Sequence, residues 1–198
     1  TLTREKIKAF ADAGFNRASL GVQDFQPEVQ KAVNRIQPYE KVADCVQWLR
    51  DTGIKAINFD LMYGLPLQTV EGIEDNVKKA VSLNPDRFAL FGYAHVPWMK
   101  AHQAKLESYH LPDTNERMEQ CEAATNALEA SGYKAIGMDH FAKVADPLYQ
   151  AFDNHTLKRN FQGYTVDNAD VLLGFGLSAI SRFPQAYIQN TTSFKDYK

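Results

Sequence analysis

Apolar and polar positions recur along this chain in one repeated order: a helical stripe, a glycine or proline stop, then a short apolar run whose far end turns polar. In the first copy Ile7, Phe10 and Ala11 share one face of a helix predicted over 3–13, Gly14 stops it, and 16–22 reads as a strand. The second copy sets Val42, Cys45, Val46 and Leu49 in register over 40–51, stops at Gly53 and enters a strand at 56–62. In the third, Ile73, Val77, Ala80 and Val81 line the helix, Asn84-Pro85 ends it, and 87–92 follows as strand. The fourth places Met118, Cys121, Thr125 and Leu128 on one face, stops at Gly132 and enters 134–138.

Helices between successive strands require right-handed crossovers, so four consecutive units predict a parallel sheet, either open and doubly wound or closed as a (β/α) barrel. Two observations favour the barrel. The strands deliver Gln23-Asp24, Asp60, His95 and Asp139-His140 at their C-terminal ends, where barrel enzymes place their chemistry. No glycine-rich dinucleotide fingerprint follows a strand. The expected fold class is therefore α/β, a partial (β/α) TIM-like barrel with parallel strands. Past the fourth unit the pattern loosens into a helix near 146–154, an irregular stretch at 159–165, and a candidate strand at 171–180. Gly174 and Gly176 in that last run mark a place where something packs close.

Composition narrows the class further. The net charge of −2 leaves no basic stripe, so neither nucleic acid nor an anionic membrane surface is an expected partner, and no long apolar run suggests a span. A soluble protein of a reducing compartment fits the two unpaired cysteines, Cys45 and Cys121, and the expected location is cytoplasmic. Thr1 leads straight into a helical pattern and 194–198 ends without a turn signal. Both ends read as cuts through a longer protein, with processing of a mature chain as the alternative.

Several residues are candidates for chemistry. Cys45 and Cys121 sit on helical apolar stripes, where cysteine acts as a small hydrophobe, and no group of nearby thiolates exists to hold an iron–sulfur cluster. His95, His140, Asp60 and Asp139 near strand ends allow a metal-dependent hydrolase, although no His-x-His or His-x-x-x-His pair supports it. Arg35 reads either as a solvated charge after a short helix or as a fixed guanidinium for a carboxylate. Asp60, flanked by Phe59 and Leu61, needs a partner, and contact with a ligand's ribose, amine or metal is preferred over capping. Pro66 and Pro97 stiffen the loops leaving two strands, which suits a binding site and equally suits a tight turn. Lys158, Arg159 and Arg182 could meet acidic substituents, but solvated charge is their commoner role.

The segments Gly21-Val22-Gln23-Asp24-Phe25, Val33-Asn34-Arg35, 58–66 (NFDLMYGLP) and 93–97 (YAHVP) resemble the barrel strands of the oxygen-independent coproporphyrinogen III oxidases, radical S-adenosylmethionine enzymes of haem biosynthesis. Relatives that carry haem share the first and third of these. The later segments 137–142 (GMDHFA), 159–165 (RNFQGYT) and 174–181 (GFGLSAIS) resemble the oxidase branch itself.

That resemblance implies an enzyme with two S-adenosylmethionine molecules and a [4Fe–4S] cluster held by a C-x-x-x-C-x-x-C loop, served by an electron donor. A deoxyadenosyl radical would take a β-hydrogen from a propionate of coproporphyrinogen III. Loss of carbon dioxide and one electron leaves a vinyl group, and two such events give protoporphyrinogen IX. It also implies that Gln23, Arg35, Asp60 and Ala94 contact a second S-adenosylmethionine and Ile180 the cluster-bound one. By the same resemblance residues 1–198 form the central and C-terminal part of the barrel, with the cluster-binding part and a covering C-terminal domain outside them. The chain alone should then carry no catalytic or metal-ligating residue, bind no cluster and turn over no substrate. A sheet edge left bare by truncation should favour self-association through the first strand. The other readings are a non-catalytic haem-binding relative and the metal-dependent hydrolase.

Overall fold

A computed structural model describes residues 2–161 and 163–197. They divide into two units, 1–153 and 154–198.

In the first unit the elements run α1 (Arg4–Asp12), β1 (Arg17–Gln23), α2 (Pro27–Ala32), α3 (Tyr39–Asp51), β2 (Ala56–Tyr63), α4 (Val70–Ser82), β3 (Arg87–Gly92), a 3₁₀ segment Ala101–Ser108, α5 (Thr114–Ala130), β4 (Tyr133–Gly137), β5 (His140–Lys143) and α6 (Pro147–Asp153). Helices α1, α4 and α5 start where side-chain caps satisfy free N–H groups. Thr69 accepts from the Gly72 amide, and Asp113 and Glu116 form a reciprocal capping box at the head of α5. The turns into β1, β2, β3 and β4 each contain a residue with positive φ, namely Gly14, Gly53, Asn84 and Gly132.

The sheet has the order β1-β2-β3-β5-β4. Strands β1, β2 and β3 are parallel as expected. The fourth strand departs from the expectation of four consecutive parallel neighbours: β5 folds back beside β4 and takes the place next to β3, antiparallel to both. The reason lies in Gly137 and Met138, both at positive φ, which let the chain reverse at 137–140 instead of running on into a crossover.

One face of the sheet is dry. Leu20, Val22, Ile57, Phe59, Leu61, Phe88 and Leu90 pack there against Ile7, Val42, Val46, Leu49, Ile73, Val77, Ala80, Ala124 and Leu128 from the helices. Phe59, Phe88 and Tyr133 meet edge to face, and the Tyr133 hydroxyl donates to the Pro85 carbonyl at 2.6 Å. The α5 stripe differs from its expected register: Gln120, Ala124 and Leu128 are buried, whereas Met118 is 67% exposed. Alternation along β2 turns Asn58, Asp60 and Met62 to the opposite face, where they are only partly buried.

The second unit contains two hairpins, β6 (Lys158–Asn160) with β7 (Gly163–Thr165) and β8 (Ile180–Phe183) with β9 (Ala186–Gln189). The expected strand over 171–180 does not form. Only Leu172 bridges to Arg182, because Gly174 lies so close to the Ile180 backbone that the segment doubles back on itself. Gln162, within the motif at 159–165, and the terminal residues Thr1 and Lys198 lie outside the described residues.

Candidate functional site

The register of the sheet aligns Gly21, Asp60, Ala89 and His140 on one rung across β1, β2, β3 and β5. Asp60 therefore stands inside β2 rather than at its C-terminal end as the sequence suggested. Its carboxylate is held by Ser19 Oγ at 3.2 Å from each oxygen and by Asn58 Nδ2 at 2.7 Å, while Asn58 Nδ2 also reaches Ser19 Oγ at 2.9 Å. Burial pushes the Asp60 carboxyl above the usual carboxylate range, against the pull of these hydrogen bonds and of the charges on His140 and Arg35.

Arg35 reaches this neighbourhood from the turn after α2. Its Nη2 donates to the Gly21 carbonyl at 2.5 Å. A side chain at position 21 would collide with that approach, since a Cβ there would lie 2.9 Å from Gln23 Nε2 and 3.1 Å from Arg35 Nη2. Gln23 sits at a bulge, with Gly21 opposite Asp60 and Gln23 opposite Leu61, and takes a φ of 67°. Its Oε1 is buried without a hydrogen-bond partner among the described residues. Gln23, Arg35 and Asp60 are thus brought together around Gly21, and a cavity of about 340 Å³ along β1 is bordered by Ser19, Gly21 and Arg35.

Of the other two expected contacts, Ala94 lies outside that cluster, and Ile180 belongs to the second unit. Ala94 is exposed in the loop after β3, with its carbonyl accepting from Gln103 Nε2 at 3.2 Å. Ile180 opens β8 in the second unit, paired with Gln189. His95 is held by Tyr93 Oη and Glu107 Oε1, each at 3.2 Å, and His140 meets the Phe91 ring edge to face. No group of three or more His, Cys, Asp or Glu side chains suited to a metal occurs among the described residues, so the hydrolase reading finds no centre there.

What sequence reading missed is the support. Ser19 and Asn58 escaped notice because a strand pattern weighs apolar positions, and small polar residues on the alternate face look like ordinary solvated ones. Behind the strand ends a second set is buried: Asp24, Gln30, Gln68, Asn76 and Gln120. Asn76 gave the clearest available signal, a carboxamide standing inside the stripe formed by Ile73, Val77 and Ala80.

The donor set suits one end of an amino-acid-bearing nucleoside. Arg35 presents a planar fork for a carboxylate, Asp60 an acceptor for an ammonium or hydroxyl, and Gln23 an idle carbonyl oxygen. An iron–sulfur cluster does not fit the described residues. Cys45 lies on α3 and Cys121 on α5, both partly buried, and burial pushes the Cys45 thiol up, away from thiolate.

Residues 1–80 match the family model of the Radical SAM superfamily. Over 197 residues the chain is 52% identical to the oxygen-independent coproporphyrinogen III oxidase of Bradyrhizobium diazoefficiens, covering 100% of this chain and 44% of that protein. It is 46% identical over 196 residues to the enzyme of the same name from Helicobacter pylori, covering 99% and 43%. Among solved structures it matches coproporphyrinogen III oxidase HemN from Escherichia coli, a radical SAM enzyme, at a TM-score of 0.89 and 41% identity over 98% of this chain and 45% of that one. An archaeal Elp3 from Methanocaldococcus infernus, 22% identical with a TM-score of 0.54 over 62% of this chain, shares the fold alone. The chain spans a little under half the length of the curated relatives it matches.

Proposed function

We propose that this chain is the central and C-terminal part of the barrel of an oxygen-independent coproporphyrinogen III oxidase, an oxidoreductase of haem biosynthesis. The observation that carries the reading is the convergence around Gly21 of Arg35, Asp60 and the side-chain Gln23 Oε1, which has no hydrogen-bond partner among the described residues. The parent enzyme would take coproporphyrinogen III and an electron donor in the cytoplasm, and convert two propionates to vinyls. Bound S-adenosylmethionine supplies the radical that such chemistry needs.

This chain's own residues hold the nucleoside. Arg35 pairs with the methionine carboxylate of a second S-adenosylmethionine. Asp60 takes its ammonium or a ribose hydroxyl, and the Ser19 and Asn58 donors keep that carboxylate oriented. Gln23 accepts one further N–H or O–H. Ala94 contributes through its backbone or an apolar contact, and Ile180 in the second unit meets the cluster-bound cofactor. Cluster ligands, the remaining cofactor contacts and a covering domain belong to other parts of the parent.

Two experiments test this. After anaerobic reconstitution with iron and sulfide the isolated chain should retain no cluster on desalting, and a stoichiometric iron and sulfide count would refute that. Exchanged for the corresponding segment of the Bradyrhizobium enzyme, it should sustain release of carbon dioxide from coproporphyrinogen III. A chimera that folds and binds its cluster but neither decarboxylates nor binds substrate defeats the oxidase reading. Tight haem binding without turnover would favour the haem-carrying relative instead.

A further inference from the structure

We propose that Asp24 is a positioning residue for Gln23 and Arg35, acting through a buried set of carboxamides that fixes the loops at the ends of β1 and β2. The proposal rests on the cofactor reading above.

Asp24 is 2% exposed, yet it carries a carboxylate whose two oxygens are both taken by N–H donors. Oδ1 accepts from the Gln26 amide at 2.5 Å and Oδ2 from Gln68 Nε2 at 2.6 Å. Gln68 cannot turn over to suit a different neighbour. Its Nε2 also donates to the Met62 carbonyl at 2.8 Å and its Oε1 accepts from the Leu65 amide at 2.8 Å, so a flip would break both. Gln120 ties the same loop to α5, donating to the Gln68 carbonyl and accepting from the Gly64 amide, each at 2.9 Å.

On its other side Asp24 reaches Arg35. The Asp24 carbonyl accepts from Gln30 Nε2 at 2.8 Å, and Gln30 clasps both the amide and the carbonyl of Gln37 at 2.8 Å. The Arg35 amide donates to the Gln30 carbonyl, also at 2.8 Å. Gln23 is held from both flanks: the Asp24 amide closes a tight turn onto Val22, and Asn76 binds the Gln23 carbonyl and the Phe25 amide. A non-glycine residue with φ of 67° persists only where its surroundings impose it.

The network needs an acceptor on each carboxylate oxygen. Protonation places a hydrogen on an oxygen already facing an N–H, and Asp24→Asn does the same permanently. Burial pushes the Asp24 carboxyl up to about 6, with Lys79 pulling down and Asp75 pushing up from α4, while Gln26, Gln30 and Gln68 present neutral donors. A carboxyl raised by burial keeps the arrangement closed as pH falls, so protonation through that value re-orients the partners of Asp24 rather than opening the loops.

The test is binding of S-adenosylmethionine to this chain, unmutated and as Asp24→Asn and Asp60→Asn, by equilibrium dialysis from about pH 5 to about pH 8. Asp24→Asn should bind about tenfold more weakly at the upper end, the scale of one hydrogen bond to a charged group, and should lose the part of the acid-side fall centred at about 6. Asp60→Asn should weaken binding yet keep a fall of Asp24 origin. The amide chemical shifts of the unmutated chain provide a second readout that needs no variant. The Gln26, Gln37 and Leu65 amides should move together with a midpoint at about 6, the value to which burial raises Asp24. If Asp24→Asn binds as the native chain with the same pH profile, or if those amides do not move with that midpoint, the proposal fails. If the unmutated chain does not bind S-adenosylmethionine at all, the cofactor reading fails and the proposal falls with it.

Discussion

Asp60 holds its charge at a cost to the fold that Ser19 and Asn58 offset only in part, since burial outweighs their hydrogen bonds and leaves the carboxyl raised. The sign follows from linkage. A group with a raised folded pKa contributes stability below the ordinary carboxylate value of 3.8, and loses it as pH rises through the folded value. Asp60→Asn should therefore raise the melting temperature at neutral pH, with the advantage closing as pH falls toward the carboxylate range. An advantage that does not change with pH would show that burial of this charge is not its cause. Gly21→Ala separates binding from folding at the next position along the rung. The atoms its Cβ would meet are the flexible ends of Gln23 and Arg35, so they can withdraw. Stability should change by less than about 1 kcal/mol, the usual scale away from core defects, while affinity for S-adenosylmethionine should fall at least several-fold. Equal affinity in calorimetric titration would detach Gly21 from the site.

Elements differ in how much of them the sequence reveals. The helix-stop-strand repeat located α1, α3 and α4 and strands β1 to β3 to within a few residues, because each is built from an apolar stripe and a left-handed stop that act locally. The fold-back of β5 was hidden. Its residues His140–Lys143 read as the tail of a parallel unit, and only the positive φ of Gly137 and Met138 tells otherwise. The 171–180 run misled for the opposite reason, since an apolar string looks like a strand unless the backbone contact at Gly174 is known. That contact carries its own prediction. A Cβ on Gly174 would lie 2.8 Å from the carbonyl carbon of Ile180 and 2.9 Å from its nitrogen, and backbone cannot withdraw as a side chain does. Gly174→Ala should cost about 1–3 kcal/mol by overpacking, and should speed amide exchange at Leu172 and Arg182 before the first unit is affected. Unchanged protection at those two amides would rule out the close approach. The candidate site was half legible by the same logic. Arg35 and Asp60 are conspicuous by charge, whereas Ser19, Asn58 and the buried carboxamides matter through partners far away in sequence, as Gln120 does for Gly64.

At the scale of the whole first unit, the sheet ends on one side at β1, which pairs with β2 alone among the described strands. Such an edge presents backbone donors and acceptors to any second strand. One of its carbonyls, that of Gly21, is already taken by the Arg35 guanidinium. Gln23 bends away at the bulge, which limits pairing to the stretch before it. We propose that copies of this chain associate through Arg17–Leu20, weakly and in a concentration-dependent way, because a stretch this short offers few ladder bonds. Two copies meeting at the same edge through a two-fold axis pair antiparallel, so their exposed Arg17 side chains lie at opposite ends of the paired stretch, and added salt should leave the association nearly unchanged. Sedimentation equilibrium across a wide concentration range checks each step. A strictly monomeric mass at the highest concentration, with and without salt, would mean that the β1 edge is protected in solution.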